Sequence, residues 1–178
     1  MYSYGYMESS IGYMAFEATK NKASYYHSRQ HFSRVANFAK HILINEYSDY
    51  KILKDVLVAA FFHDTGRLND HEDPAHGYRS AMVLDSYKSN LPFSFDEESV
   101  RFAILNHCKK EGETSFLPVV SSFSCQGPID KRIAACLWDA DRLDLLRDAE
   151  YKKINVDFLS TEYAKMFANT PEHLAFYK

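Results

Sequence analysis

Apolar positions along the chain recur at helical spacing, and on several of the apolar faces the pattern includes a side chain that can bind metal. In "SRQHFSRVANFAKHILINEY", His31, Val35, Phe38 and Ile42 fall on one face of a helix. In "KILKDVLVAAFFHD", Ile52, Val56, Ala59 and His63 repeat that spacing. In "PAHGYRSAMVLDSYKSN", Pro74 occupies a first-turn position, and His76, Ser80, Val83 and Tyr87 share a face. Asp96 and Ser99 offer start signals for a helix in which Val100, Ile104 and His107 align. In "DKRIAACLWDADRLDLLRDAEY", Ile133, Leu137, Asp141 and Leu145 align. Two further helices are predicted. One lies over "ESSIGYMAFEATK", capped by Ser9 or Ser10, and a terminal one over "LSTEYAKMFAN", capped by Ser160 or Thr161.

No stretch alternates with period two, so the pattern predicts an all-α single-domain bundle with at least five core helices. Residues 1–27 form a tyrosine-rich segment expected to pack on a core domain of residues 28–178. Two connections are long: Thr65 to Asp73, with Gly66 marking a turn, and Lys109 to Pro128. A loop of the second one's length is often a lid or binding loop.

Composition narrows the function. With 46% hydrophobic and 25% charged residues, the 178-residue chain is globular in composition. Its net charge of -3 and the lack of a basic stripe argue against a nucleic-acid polymer as partner. The longest apolar run, Val56 to Phe62, is seven residues and too short for a bilayer, so no membrane partner is expected. The N-terminus lacks the pattern of a secretory signal. Cys108, Cys125 and Cys136 are odd in number and lack zinc spacing. Free thiols acting as small buried hydrophobes, and a cytoplasmic location, are therefore expected. The aromatic C-terminal stretch leaves room for a homodimer surface.

The coincidence that matters is that five predicted helices each carry a ligand type on the apolar face: His31, His63, His76, His107 and Asp141. Asp64 adjoins His63 at a helix end, where an unwinding backbone lets neighbours reach one ion. Buried imidazoles need partners, and a shared cation satisfies several at once. Imidazole with carboxylate suits a divalent transition ion (Mn, Fe, Co, Ni or Zn) and suits Mg²⁺ less well. The pattern holds no thiolate, which argues against a structural zinc site.

The ordered set His31, His63-Asp64 and Asp141, with "FFHDTGRL" and "LWDADRLD" around it, resembles the HD superfamily of metal-dependent phosphohydrolases over about Ser28 to Asp148. "HGYRSA" and "AILNH" resemble the histidine helices that follow the HD pair. The resemblance implies that His31, His63, Asp64 and Asp141 are metal ligands and that Asp139 and Asp144 support the helix or orient ligands. It implies that His76 and His107 bind a second metal or face the substrate phosphate, giving one or two ions per chain.

The chemistry that would follow is hydrolysis of a small phosphate ester or anhydride, such as a nucleotide, by a metal-activated water. Asp64 would also orient that water, and His76 or His107 would be the general acid. Arg67, Arg79 and Arg142 are the candidate phosphate contacts. Two alternatives stay open: a di-iron oxygenase on the same scaffold, using all six ligand candidates, and a non-catalytic binding module. For the oxygenase pattern the interval from Asp64 to His76 is short.

Overall fold

The computed structural model describes residues 3–19, 28–108 and 128–177, and every regular element in it is helical. The α-helices are α1 (Tyr4–Thr19), α2 (Arg29–Ile42), α3 (Leu53–Phe62), α4 (His76–Tyr87), α5 (Glu97–Asn106), α6 (Lys131–Leu143), α7 (Glu162–Phe167) and α8 (Pro171–Ala175). The expected connection from Lys109 to Pro128, and with it Cys125, lies outside the described residues apart from Pro128.

Helix α3 is the centre. Nine of its ten residues are buried, because α1, α2, α4, α5 and α6 all pack on it. That is why its sequence is apolar on every side rather than on one stripe. Each large side chain it buries contributes about 1.5–3 kcal/mol. Its one acidic residue, Asp55, is also buried and accepts the Asp96 backbone N–H at 2.8 Å, fixing where α5 begins. Asp96 in turn caps α5, accepting from the Ser99 N–H at 3.1 Å. Trp138 Nε1 of α6 donates to the Ala103 carbonyl of α5 at 2.8 Å. The stripe His31, Val35, Phe38 and Ile42 of α2 is buried as the spacing predicts.

Three boundaries differ from the sequence reading. Helix α1 begins at Tyr4, so Ser9 and Ser10 lie inside it and cap nothing. It buries Ile11 and Ala15, one turn apart, together with Gly12. Gly12 lets it settle close to α3, since a Cβ there would sit 3.3 Å from the Phe61 ring. In α4 the core face is His76, Gly77, Ser80, Ala81 and Leu84, with Val83 and Tyr87 only half-buried. The terminal helix is two short ones. Thr161 caps α7, Asn169 then takes a left-handed φ of 65°, and Pro171 opens α8.

Candidate metal centre

Three helices converge on one buried point. His31 comes from the first turn of α2, His63 and Asp64 from the unwinding end of α3, and Asp141 from the last turn of α6. His31 Nε2 lies 3.1 Å from His63 Nε2, 3.5 Å from Asp64 Oδ2 and 3.7 Å from Asp141 Oδ1. His63 Nε2 lies 3.5 Å from Asp64 Oδ2 and 3.6 Å from Asp141 Oδ1. Donors about 2.1 Å from one ion stand roughly 3.0–3.4 Å apart at octahedral or tetrahedral angles. The observed spacings fit that frame with a few tenths of an ångström to spare.

A second group adjoins the first. Asp64 Oδ1 lies 3.0 Å from His76 Nε2 and 3.3 Å from His107 Nε2, and those two nitrogens are 2.9 Å apart. His76 opens α4 and His107 follows the end of α5. The short interval from Asp64 to His76 therefore does not keep His76 away. The turn after Asp64 doubles back at once, and Gly66 makes this possible. A Cβ at Gly66 would fall 2.2 Å from the Ser80 backbone nitrogen, so only glycine lets the turn lie on α4. Gly66 N–H donates to Ser80 Oγ at 2.9 Å, and Arg79 Nε donates to the Gly66 carbonyl at 2.9 Å.

The proton positions decide what the cluster can do. His31 Nδ1 lies 2.7 Å from Asp144 Oδ2, His63 Nδ1 2.7 Å from the Ala60 carbonyl, and His107 Nδ1 2.6 Å from the Ile104 carbonyl. His76 Nδ1 meets the Asp73 carbonyl. Carboxylates and carbonyls only accept, so His31, His63 and His107 carry the proton on Nδ1 and donate it outward, whereas His76 Nδ1 also faces the donor Nη1 of Arg67 at 2.9 Å. Three Nε2 lone pairs are then turned inward, onto one another, onto His76 Nε2 and onto carboxylate oxygens. Acceptors packed against acceptors require a shared proton or a shared cation. Without an ion the site takes up protons. Burial lowers the His76 pKa, but its hydrogen bond to Asp64 outweighs that and holds it at about 10. At His63 burial likewise lowers the pKa, but Asp64 and Asp141 prevail and raise it. His107 moves the other way, lowered by burial. Asp64 is held well below the usual carboxylate range: burial opposes this, and the surrounding imidazoles prevail.

The HD domain family model matches residues 29–146, which takes in all six of these side chains and Asp144. The chain belongs to the HD domain family. Members are generally metal-dependent phosphohydrolases, and the paired His and Asp groups of this HD domain could hold divalent ions. No curated protein and no solved structure matches the chain. Among the described residues, no helix is long and apolar enough to cross a membrane.

Around the HD pair, Asp144 does the orienting. It receives His31 Nδ1–H and is gripped by Arg34, with Nε to Oδ1 at 2.6 Å and Nη2 to Oδ2 at 3.2 Å. Arg34 follows His31 by one helical turn, a spacing that could have flagged it. Asp139 plays no part at the cluster: it accepts from the Ser160 and Thr161 backbone N–H groups and fixes the start of α7. Replacing Asp144 with asparagine presents an amide to His31 and frees Arg34. We expect metal affinity to fall about 10–100-fold with the helical fold kept; unchanged affinity by metal titration would deny Asp144 this role.

The three expected phosphate contacts are placed differently from one another. Arg142 is 2% exposed, and its Nη1 lies 3.8 Å from Oδ1 of Asp139, the carboxylate that fixes the start of α7. Arg79 holds the Gly66 carbonyl and Asp73, bracing the turn. Arg67 lies against His76, its Nη1 2.9 Å from Nδ1 and 3.3 Å from Nε2, while Nη2 donates to the His71 carbonyl at 3.1 Å. Of the cysteines, Cys136 is fully buried and free, as a small core hydrophobe, whereas Cys108 is free but only partly buried and stands beside His76 and His107. Sequence reasoning missed that placement; the signal was its adjacency to His107 at a helix end.

Proposed function

We propose that this HD domain is a two-metal phosphohydrolase acting on a small phosphate ester or anhydride, a nucleotide or a similar metabolite. The single observation that carries the reading is Asp64. One of its oxygens faces His31 and His63, and the other faces His76 and His107, so one carboxylate would bridge two ions. The first would be held by His31, His63, Asp64 and Asp141, the second by Asp64, His76 and His107. Bound there, divalent ions supply positive charge for a phosphoryl oxygen and acidify water near neutral pH.

The chain's own residues would do the rest. The outward Nδ1–H bonds of His31, His63 and His107, and the contacts of His76 Nδ1, would fix the rings, so that the ligand geometry need not reorganise during turnover. With Nε2 turned to Asp64, His76 and His107 serve as ligands in this reading and not as the general acid. Asp64, with an oxygen toward each group, would hold both ions. Asp141, whose side chain is 24% exposed, marks the open side of the first group. Arg67 is the cation placed beside the second group and would bind the phosphate there.

The test is metal content together with a substrate panel. Two transition ions per chain, with hydrolysis of a nucleotide or phosphomonoester that stops on chelation and returns with Mn²⁺ or Co²⁺, is the expected result. Activity indifferent to chelation would sink the reading. Arg67→Ala should lower kcat/KM about 100-fold with both ions retained; unchanged kinetics would remove Arg67 from the site. The di-iron oxygenase has one observation in its favour: His76 does join the other five ligand candidates. Two irons per chain and oxygen uptake with a non-phosphorylated substrate would favour it.

A further inference from the structure

We infer that Cys108 is a protein ligand of the second ion, making that site His76, His107, Asp64 and a thiolate. The inference rests on the two-metal reading above and concerns only its second position. The ligand atoms of His76, His107 and Cys108 all lie within 4.8 Å of one another. The two imidazoles are almost wholly buried, their Nε2 atoms 2.9 Å apart and facing Asp64 Oδ1.

Cys108 repeats at the end of α5 what Asp64 does at the end of α3. In each case a histidine at the end of the helix is followed by a second donor where the backbone unwinds, and both donors reach the same point. Gly77 permits the approach. A Cβ there would meet the Ile104 carbonyl at 2.8 Å and Cys108 Sγ at 3.1 Å, so a larger residue would push the thiol away from α4. A packing role does not account for Cys108 as it does for Cys136. It is only partly buried, and its Sγ is 3.7 Å from the Pro74 carbonyl. On ligation the thiol proton passes to solvent and the sulfur binds as thiolate.

The consequence is an asymmetric pair. The first group offers two imidazoles and two carboxylates. The second offers two imidazoles, one carboxylate oxygen and a sulfur, which selects softer ions such as Zn²⁺, Co²⁺ or Fe²⁺ over Mg²⁺ or Mn²⁺.

Co²⁺ alone is the probe, because cobalt–thiolate bonds absorb strongly in the near ultraviolet and cobalt bound only by nitrogen and oxygen does not. The full chain, freed of metal, is titrated with Co²⁺ as wild type, Cys108→Ser and Cys125→Ser. The expected result is two Co²⁺ per wild-type chain, with a near-ultraviolet band that grows with one of the two ions. The band is lost in Cys108→Ser and kept in Cys125→Ser. As an independent readout, bound Co²⁺ should protect Cys108 from iodoacetamide, located by mass spectrometry, and His107→Ala should lose that protection. Two Co²⁺ per chain with no such band, or a band that follows Cys125, overturns the thiolate and leaves the two-metal reading standing. Uptake of only one Co²⁺, with no band, overturns both.

Discussion

Replacing Asp64 with alanine should strip the protein of both ions at once and lower turnover by at least about a thousandfold. Its carboxylate lies between the two groups: its two oxygens stand 3.0–3.5 Å from His76 Nε2, His107 Nε2, His31 Nε2 and His63 Nε2. Its removal leaves the second group with two imidazoles and Cys108, and the first with two imidazoles and Asp141. The size follows from the charge stabilisation an ion gives, several kcal/mol at about 1.36 kcal/mol per tenfold in rate. His31→Ala is the comparison, because it touches the first group alone and should cost that ion while sparing the second. Elemental analysis and kcat on both variants decide the matter. Wild-type ion content in Asp64→Ala would show that the carboxylate is not the bridge.

Metal loading should raise the melting temperature sharply, and more so at pH 8 than at pH 6. An ion present at a thousand times its Kd stabilises the fold by about 4 kcal/mol. For a chain of this length, each kcal/mol moves Tm by about 2–4 °C, so each ion should add roughly 8–16 °C. The pH dependence has a definite sign. In the ion-free protein His76 is pushed up to about 10, above its unfolded value. Its proton therefore stabilises the ion-free fold in full below about pH 6.5, and that contribution is lost as the pH rises through about 10. An incoming ion must displace that proton, so the net gain is smaller in acid. Thermal melts with and without Co²⁺ at the two pH values test this. No shift at either pH, or a larger one at pH 6, would contradict the assignment of these nitrogens as ligands.

Much of this was legible from residue spacing, and the exceptions have physical causes. The faces of α2 and α5 were readable because each has one buried side, so the 3.6-residue period survives in the sequence; α6 buries ten of its thirteen residues, and its spacing gave the phase of Asp141 but not the extent of burial. Helix α3 is buried nearly all round and has no face to read; its role as the centre showed instead as an uninterrupted apolar run. The six ligand candidates came together as their helical phases suggested. What spacing could not show was the return from Asp64 to His76. That path depends on the contact of Gly66 with the α4 backbone at Ser80, which is long-range. The arginines were equally opaque. Arg67, Arg79 and Arg142 have the same chemistry in sequence, and only tertiary contacts send one to His76, one to Asp73 and one to Asp139. Asp144 and Arg34 lie 110 positions apart and meet only in the folded chain.

The two groups of ligands stand on ground of unequal firmness. The first is carried by α2, the end of α3 and α6, which pack on one another through the middle of the protein. The second depends on α4, which buries five of its twelve residues, and on the last turn of α5. Segments with few buried contacts open on their own, while central helices open only with global unfolding. Hydrogen exchange followed by mass spectrometry should show α4 opening before α3. An ion held by His76 and His107 would then escape through such a local fluctuation, while one held by His31, His63 and Asp141 would stay until the whole protein came apart.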